Sequence, residues 1–342
     1  MSGGQFTMPP EWYPHERTWM AWPTPGYTLG EDSKAQLEAR TAWASVANAI
    51  VDFEPVTMLC EKSEIAHATS LLDPKVEILE AELNDAWMRD IGPTFVHDSK
   101  HTLVGVNWIF NGWGAQPWAA WDKDSKIASF VSNNLRVEVE NSWLINEGGG
   151  LHVNGDGVVL LTETVQLGEG RNSGKSKSEV EKEIHRLLGT SHTIWLKRGL
   201  TRDYDEFGTR GHVDIVACFA NANTILYHDQ QDSSHPDFEV SAEIRSTLEA
   251  AGNFNLIPLP APKVLRDEEG WVDYSYINHY VVNGAVILCA FEDENDQVAK
   301  SILEKIYPDR EVILVDSRAI FARGGGIHCI TQQQPTARNS SY

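Results

Sequence analysis

The sequence is poor in cysteine and in basic residues, and it contains no long apolar run. Its four cysteines, at 60, 218, 289 and 329, stand far apart with no CxxC pair. That spacing excludes a disulfide framework and the common thiolate zinc sites. No stretch of about 18 apolar residues occurs, so no transmembrane helix is expected. Residues 1–5 lack the basic and apolar regions of a signal peptide, which leads to the expectation of a reduced, cytoplasmic protein. Only 28 Lys and Arg stand against 49 Asp and Glu, giving a formal charge of −21 over 342 residues. A chain this short of cations is a poor partner for nucleic acid or an anionic membrane, whereas a small cation suits it. HExxH, EF-hand, Walker and GxGxxG patterns are also absent, so neither a metal nor a nucleotide cofactor is expected. His152-x-Asn154, His212-x-Asp214 and His228-Asp229 are the weak metal alternatives.

What the chain does have is tryptophan, 12 residues, within the 42% hydrophobic and 23% charged content of an ordinary globular protein. This composition excludes disorder. Helical periodicity is read at 33–51, 64–72, 179–188, 240–251 and 296–306. Short apolar strand patterns fall at 56–60, 76–79, 103–109, 158–161, 215–219, 286–290 and 312–315. The alternation predicts an α/β chain, and with no biased linker one domain over 1–342 is expected. Four polar clusters interrupt the strands: Arg89-Asp90-Ile91-Gly92, Glu147-Gly148-Gly149-Gly150, Gly211-His212-Val213-Asp214 and Gly324-Gly325-Gly326-Ile327-His328-Cys329. Asp90, Glu147, His212 and Cys329 follow one another at intervals of 57, 65 and 117 residues. This suits about five similar units around a common centre, one of them without a reactive cluster.

Cys60, Cys218 and Cys289 lie in apolar strand patterns and read as core. Cys329 differs, because the glycine run before it lets another group approach closely. It is a candidate nucleophile; the alternative is a tight turn with an incidental thiol. A free thiol is mostly protonated at neutral pH and needs a nearby base or cation. His212 is the candidate, and in an extended segment Asp214 would share its face. Asp90, three residues after Trp87, is either a reactive carboxylate, an ion-pair partner of Arg89, or a turn residue before Gly92-Pro93. Glu147 either orients a histidine by accepting its second ring N–H or is solvated.

The four clusters, extended to Asn84-Asp85-Ala86-Trp87-Met88-Arg89-Asp90-Ile91-Gly92-Pro93 and to Ile330-Thr331-Gln332-Gln333, resemble the signatures of the agmatine deiminase family. That family sits in the bacterial peptidyl-arginine deiminase group of the guanidine-modifying (pentein) superfamily. Met8-Pro9-Pro10-Glu11-Trp12 and Trp19-Met20-Ala21-Trp22-Pro23 are similar to its opening, so the resemblance runs over residues 8–335. It implies a five-bladed α/β propeller of ββαβ repeats with the active site at the central axis. It implies hydrolysis of agmatine to N-carbamoylputrescine and ammonia without metal or cofactor, and a homodimer. It implies Cys329 as nucleophile, His212 as general acid and base, and Glu147 as the carboxylate supporting the histidine. Asp90 and Asp214 would grip the guanidinium, with Trp87 beside it and Trp113 as a weaker aromatic candidate. One position departs from the pattern: four residues before His212, where the family carries an acid associated with the distal amine, this chain has Gly208. Arginine, peptidyl-arginine or another guanidino compound therefore remains an alternative substrate, and transfer to an amine an alternative reaction. A cysteine peptidase would leave Asp90 and Asp214 without a task. A non-catalytic binder of cationic metabolites would not need Cys329 and His212.

Overall fold

The computed structural model describes residues 5–337, and its strands form five sheets. Each contains one ββαβ unit: two antiparallel strands, a helix, and a third strand parallel to the second. The first unit joins Thr94–Asp98, Leu103–Ile109, the helix Ile127–Leu135 and Glu138–Ile145. The second joins Leu151–Val153, Val158–Thr162, the helix Lys177–Leu188 and His192–Leu196. The third joins Ala217–Asn221, Thr224–Asp229, the helix Asp237–Ala250 and Asn255–Pro260. The fourth joins Tyr280–Val282, Ala285–Ala290, the helix Asn295–Ile306 and Glu311–Asp316. The fifth takes its first strand, Thr331–Pro335, from the far end of the chain. That strand pairs antiparallel with His15–Ala21, which leads through the helix Ser33–Ile50 to Val56–Cys60.

Local chemistry explains the helices. Asp32 caps Ser33–Ile50 by accepting from the amides of Lys34 and Ala35. Ser176 and Glu179 form a capping box at the start of Lys177–Leu188, and Gly189 ends that helix in the left-handed conformation. The middle strands Val158–Thr162 and Ala285–Ala290 are almost wholly apolar, and Ala285–Ala290 is buried along nearly its whole length. This is expected of strands covered on both faces.

Each unit's first strand is preceded by a short helical turn: Met88–Ile91, Gly148–Gly150, Val213–Ile215, Tyr276–Asn278 and His328–Ile330. The turns contact one another in sequence, and the fourth meets the fifth where Asn278 Oδ1 accepts from His328 N at 3.0 Å. The result is a closed five-bladed α/β propeller with its turns at the centre. Two expectations change here. His212 and Asp214 are not strand residues; they sit at the cap and inside of a helical turn, and the strand begins at Ala217. The unit expected to lack a reactive cluster supplies Asn278.

Candidate active site

The five turns converge on one buried chamber. Cys329 is 3% exposed, and its Sγ lies 3.3 Å from Asn278 Nδ2 and 3.7 Å from Asp214 Oδ2. Asp90 Oδ1 accepts from Gly149 N at 3.0 Å, and Asp90 Oδ2 accepts from the Trp113 indole at 2.8 Å. His212 is fully buried, with Nε2 3.4 Å from Glu147 Oε2 and Nδ1 3.8 Å from Asp90 Oδ1. Arg171 Nε donates to Glu147 at 3.0 Å, and its other arm donates to the Thr209 carbonyl at 2.7 Å. Two polar atoms of this cluster, His212 Nδ1 and Asp214 Oδ1, have no hydrogen-bond partner.

Two glycines make the crowding possible. A Cβ on Gly149 would lie 2.6 Å from His212 Nδ1 and 3.0 Å from both Asp90 Oδ1 and Asp214 Oδ2. A Cβ on Gly325 would lie 2.8 Å from the Trp87 ring and 3.0 Å from Cys329 Sγ, which fixes Trp87 beside the thiol.

The charges are strongly coupled. Burial, reinforced by Asp214 and Glu147 and opposed by His212, raises Asp90 to about 6. Burial alone would depress His212, but Asp90, Glu147 and Asp214 outweigh it and raise the imidazole to about 9. Burial also works against the Asp214 carboxylate, yet the bonded His328 holds it below the usual range. For Glu147 burial is overcome by Arg171 and His212, again leaving the carboxylate low. Burial and the charges of Asp214 and Asp90 push the Cys329 thiol well up. At neutral pH the free site therefore holds a neutral thiol, a charged imidazole and ionised carboxylates around them.

Residues 7–335 match the Porphyromonas-type peptidyl-arginine deiminase family. The chain belongs to that family. It is 56% identical over 336 residues to a candidate agmatine deiminase of Streptomyces coelicolor, covering 96% of this chain and 99% of that one. It is 35% identical over 363 residues to an agmatine deiminase of Pseudomonas aeruginosa, covering 98% and 97%. The solved agmatine deiminase of Enterococcus faecalis superposes with a TM-score of 0.89 at 29% identity, covering 99% of both chains.

Within this deiminase fold the six residues singled out from sequence, Cys329, His212, Glu147, Asp90, Asp214 and Trp87, lie in or against one chamber. Glu147 is not solvated, and Arg89 does not pair with Asp90; its guanidinium donates to the His328 carbonyl and to Gln333. Trp113 proves to be bonded directly to Asp90. Sequence reasoning missed Asn278, Arg171 and the buried pairing of His328. Asn278 stands in Ser275-Tyr276-Ile277-Asn278, which carries neither charge nor glycine. The only signal for it was the long gap between His212 and Cys329. At Gly208 a Cβ would fall 2.1 Å from the Asp203 carbonyl, so no acid fits there without a backbone shift. Asp205 and Glu206 are exposed and do not replace it, and Arg210 is bonded to Gln116 and the Tyr204 carbonyl.

Proposed function

We propose that the chain hydrolyses the guanidino group of agmatine to N-carbamoylputrescine and ammonia. One observation carries this reading: a buried thiol faces two buried carboxylates and a charged imidazole, with Asp214 Oδ1 and His212 Nδ1 free of protein partners. A guanidinium is planar and cationic and offers a fork of N–H donors that carboxylates on its sides accept. Each charge-assisted contact contributes about 1.5–3 kcal/mol. Trp87 lies where it can cover the cation, worth about 0.5–2 kcal/mol. The entering positive charge offsets the negative field that keeps Cys329 protonated, and the thiol releases its proton to solvent. The thiolate adds to the central carbon, and His212 protonates the departing nitrogen so that ammonia leaves. The remaining thiouronium is attacked by water, whose proton His212 takes. The thiolate is then expelled, and the ureido product forms after loss of the last proton to solvent. Glu147, fixed by Arg171, orients His212 through Nε2 and leaves Nδ1 toward the substrate.

Gly208 favours a second reading, deimination of arginine or of an arginine side chain, because the acid for a distal ammonium is missing there. Agmatine, arginine and an arginine-containing peptide, assayed side by side for ureido product and ammonia, separate the two. Turnover is expected to be greatest with agmatine and to fall at least about a thousandfold in Cys329→Ser. Undiminished activity of that variant would sink the nucleophile assignment; preference for arginine would replace agmatine as substrate.

A further inference from the structure

Glu11 belongs to the Met8-Pro9-Pro10-Glu11-Trp12 stretch, to which the chemistry above gives no task. It is buried behind the chamber, where its Oε2 lies 2.8 Å from His328 Nε2. The other ring nitrogen, His328 Nδ1, lies 2.7 Å from Asp214 Oδ2. An ionised carboxylate only accepts hydrogen bonds, so a ring held between two of them satisfies both when each nitrogen carries a proton. Glu11 cannot turn away, because its Oε1 accepts from Val281 N at 2.8 Å. Arg89, bonded to the His328 carbonyl at 3.2 Å, supplies the second cation that balances the two carboxylates. Despite burial, Glu11 and Asp214 are held below their usual range and His328 above its own.

The other groups facing this ring are neutral. His152 Nδ1 accepts from Phe219 N at 3.2 Å, which puts its proton on Nε2, 3.7 Å from Glu11. Burial depresses both His152 and His279, and the Tyr280 phenol is pushed up by burial. Glu11, His152 and His328 offer ligand atoms within 4.8 Å of one another. A metal there would find both nitrogens of His328 occupied and the lone pair of His152 turned to a backbone amide. The cluster is a hydrogen-bonded charge network.

We propose that Glu11 is a positioning residue for Asp214, acting through a doubly bonded His328 imidazolium that keeps the carboxylate charged and aimed at the substrate's guanidinium. This rests on the role given to Asp214 under deimination. The test uses the full chain labelled with 15N-histidine. At neutral pH the wild type shows both His328 nitrogens protonated. Glu11→Gln yields a neutral ring with its proton on Nδ1, because one carboxamide oxygen cannot accept from both Val281 N and His328 Nε2. In the same variant kcat/KM for the guanidino substrate falls about ten- to hundredfold, carried by KM, and Glu11→Asp, which keeps the charge, restores part of it. A neutral His328 in the wild type, or wild-type kcat/KM in Glu11→Gln, overturns the proposal. Wild-type protein that turns over no guanidine overturns the deimination reading instead; the nitrogen signals report on the network in that case too.

Discussion

The space around single atoms decides what this site tolerates. Gly149 stands with its α-carbon among His212, Asp90 and Asp214, and any side chain there would push these three groups apart. Gly149→Ala is expected to lower kcat/KM about a hundredfold while the melting temperature changes little, since the displacement falls on reacting groups. Calorimetry beside steady-state kinetics checks it. Charge state at two residues sets the pH range. Asp90, raised to about 6, loses its charge as pH falls through that value; His212, raised to about 9, loses its proton as pH rises through that one. The proposed reaction needs the first ionised and the second protonated, so kcat/KM is expected to be bell-shaped with limbs near those values. A flat profile between pH 5 and 10 would refute the assignment of the two roles. At this scale the sequence was informative where chemistry is unusual: a thiol after three glycines, a histidine two residues from an aspartate. It was silent where an ordinary residue acquires its role from neighbours, as Arg171 does by clamping Glu147 from 24 positions away.

Among the elements, the short helical turns matter more than the long helices. Four of the five central turns deliver a polar or reactive side chain, Gly148–Gly150 brings bare backbone just after Glu147, and each is too short to be seen by periodicity. The long helices were legible because their apolar stripes repeat, and their ends differ from the expected ones by a few residues. Ile127–Leu135 was not read as a helix. Its Ser129, Ser132, Asn133 and Asn134 are residue types that favour caps and turns, and packing against the first sheet overrides them. The turn Tyr276–Asn278 is the element to test. Asn278 Nδ2 faces the thiol and the Asp214 carbonyl, while its Oδ1 holds His328 N. Asn278→Ala is expected to reduce kcat about tenfold or more and to change the rate at which iodoacetamide alkylates Cys329. Unchanged alkylation would show that Asn278 does not influence the sulfur.

On the scale of the whole molecule, the ring is closed by the two far ends of the described chain. Thr331–Pro335 lies against His15–Ala21, and Glu54 secures the junction. Its carboxylate accepts from Thr18 Oγ1, lies 3.1 Å from His15 Nδ1, and takes the Asn283 amide of the fourth unit at 2.8 Å. Removing it leaves the His15 ring nitrogen and the Asn283 amide without this acceptor, while Thr18 keeps the Tyr280 hydroxyl, so Glu54→Ala is expected to cost about 1–3 kcal/mol for each orphaned group in denaturant unfolding. A loss below 1 kcal/mol would mean that the ring is closed by strand pairing and apolar contact alone. The net charge of −21 acts over the same scale but weakly, since salt screens beyond about 8 Å. Recognition falls to the few acids that the fold brings inside.

By itself the sequence determined the alternating α/β pattern, three of the five middle strands (103–109, 158–161 and 286–290) and four of the five central clusters, while His15–Ala21 and Thr224–Asp229 went unread. Each of these is written in residues close together in the chain. Only the tertiary structure decided that His212 and Asp214 meet beside Gly149, that Asn278 completes the circle, and that Glu11 reaches His328 across 317 positions. Those relations depend on closing a ring of five units, and a hydrogen bond between opposite ends of a chain leaves no spacing in the sequence to read.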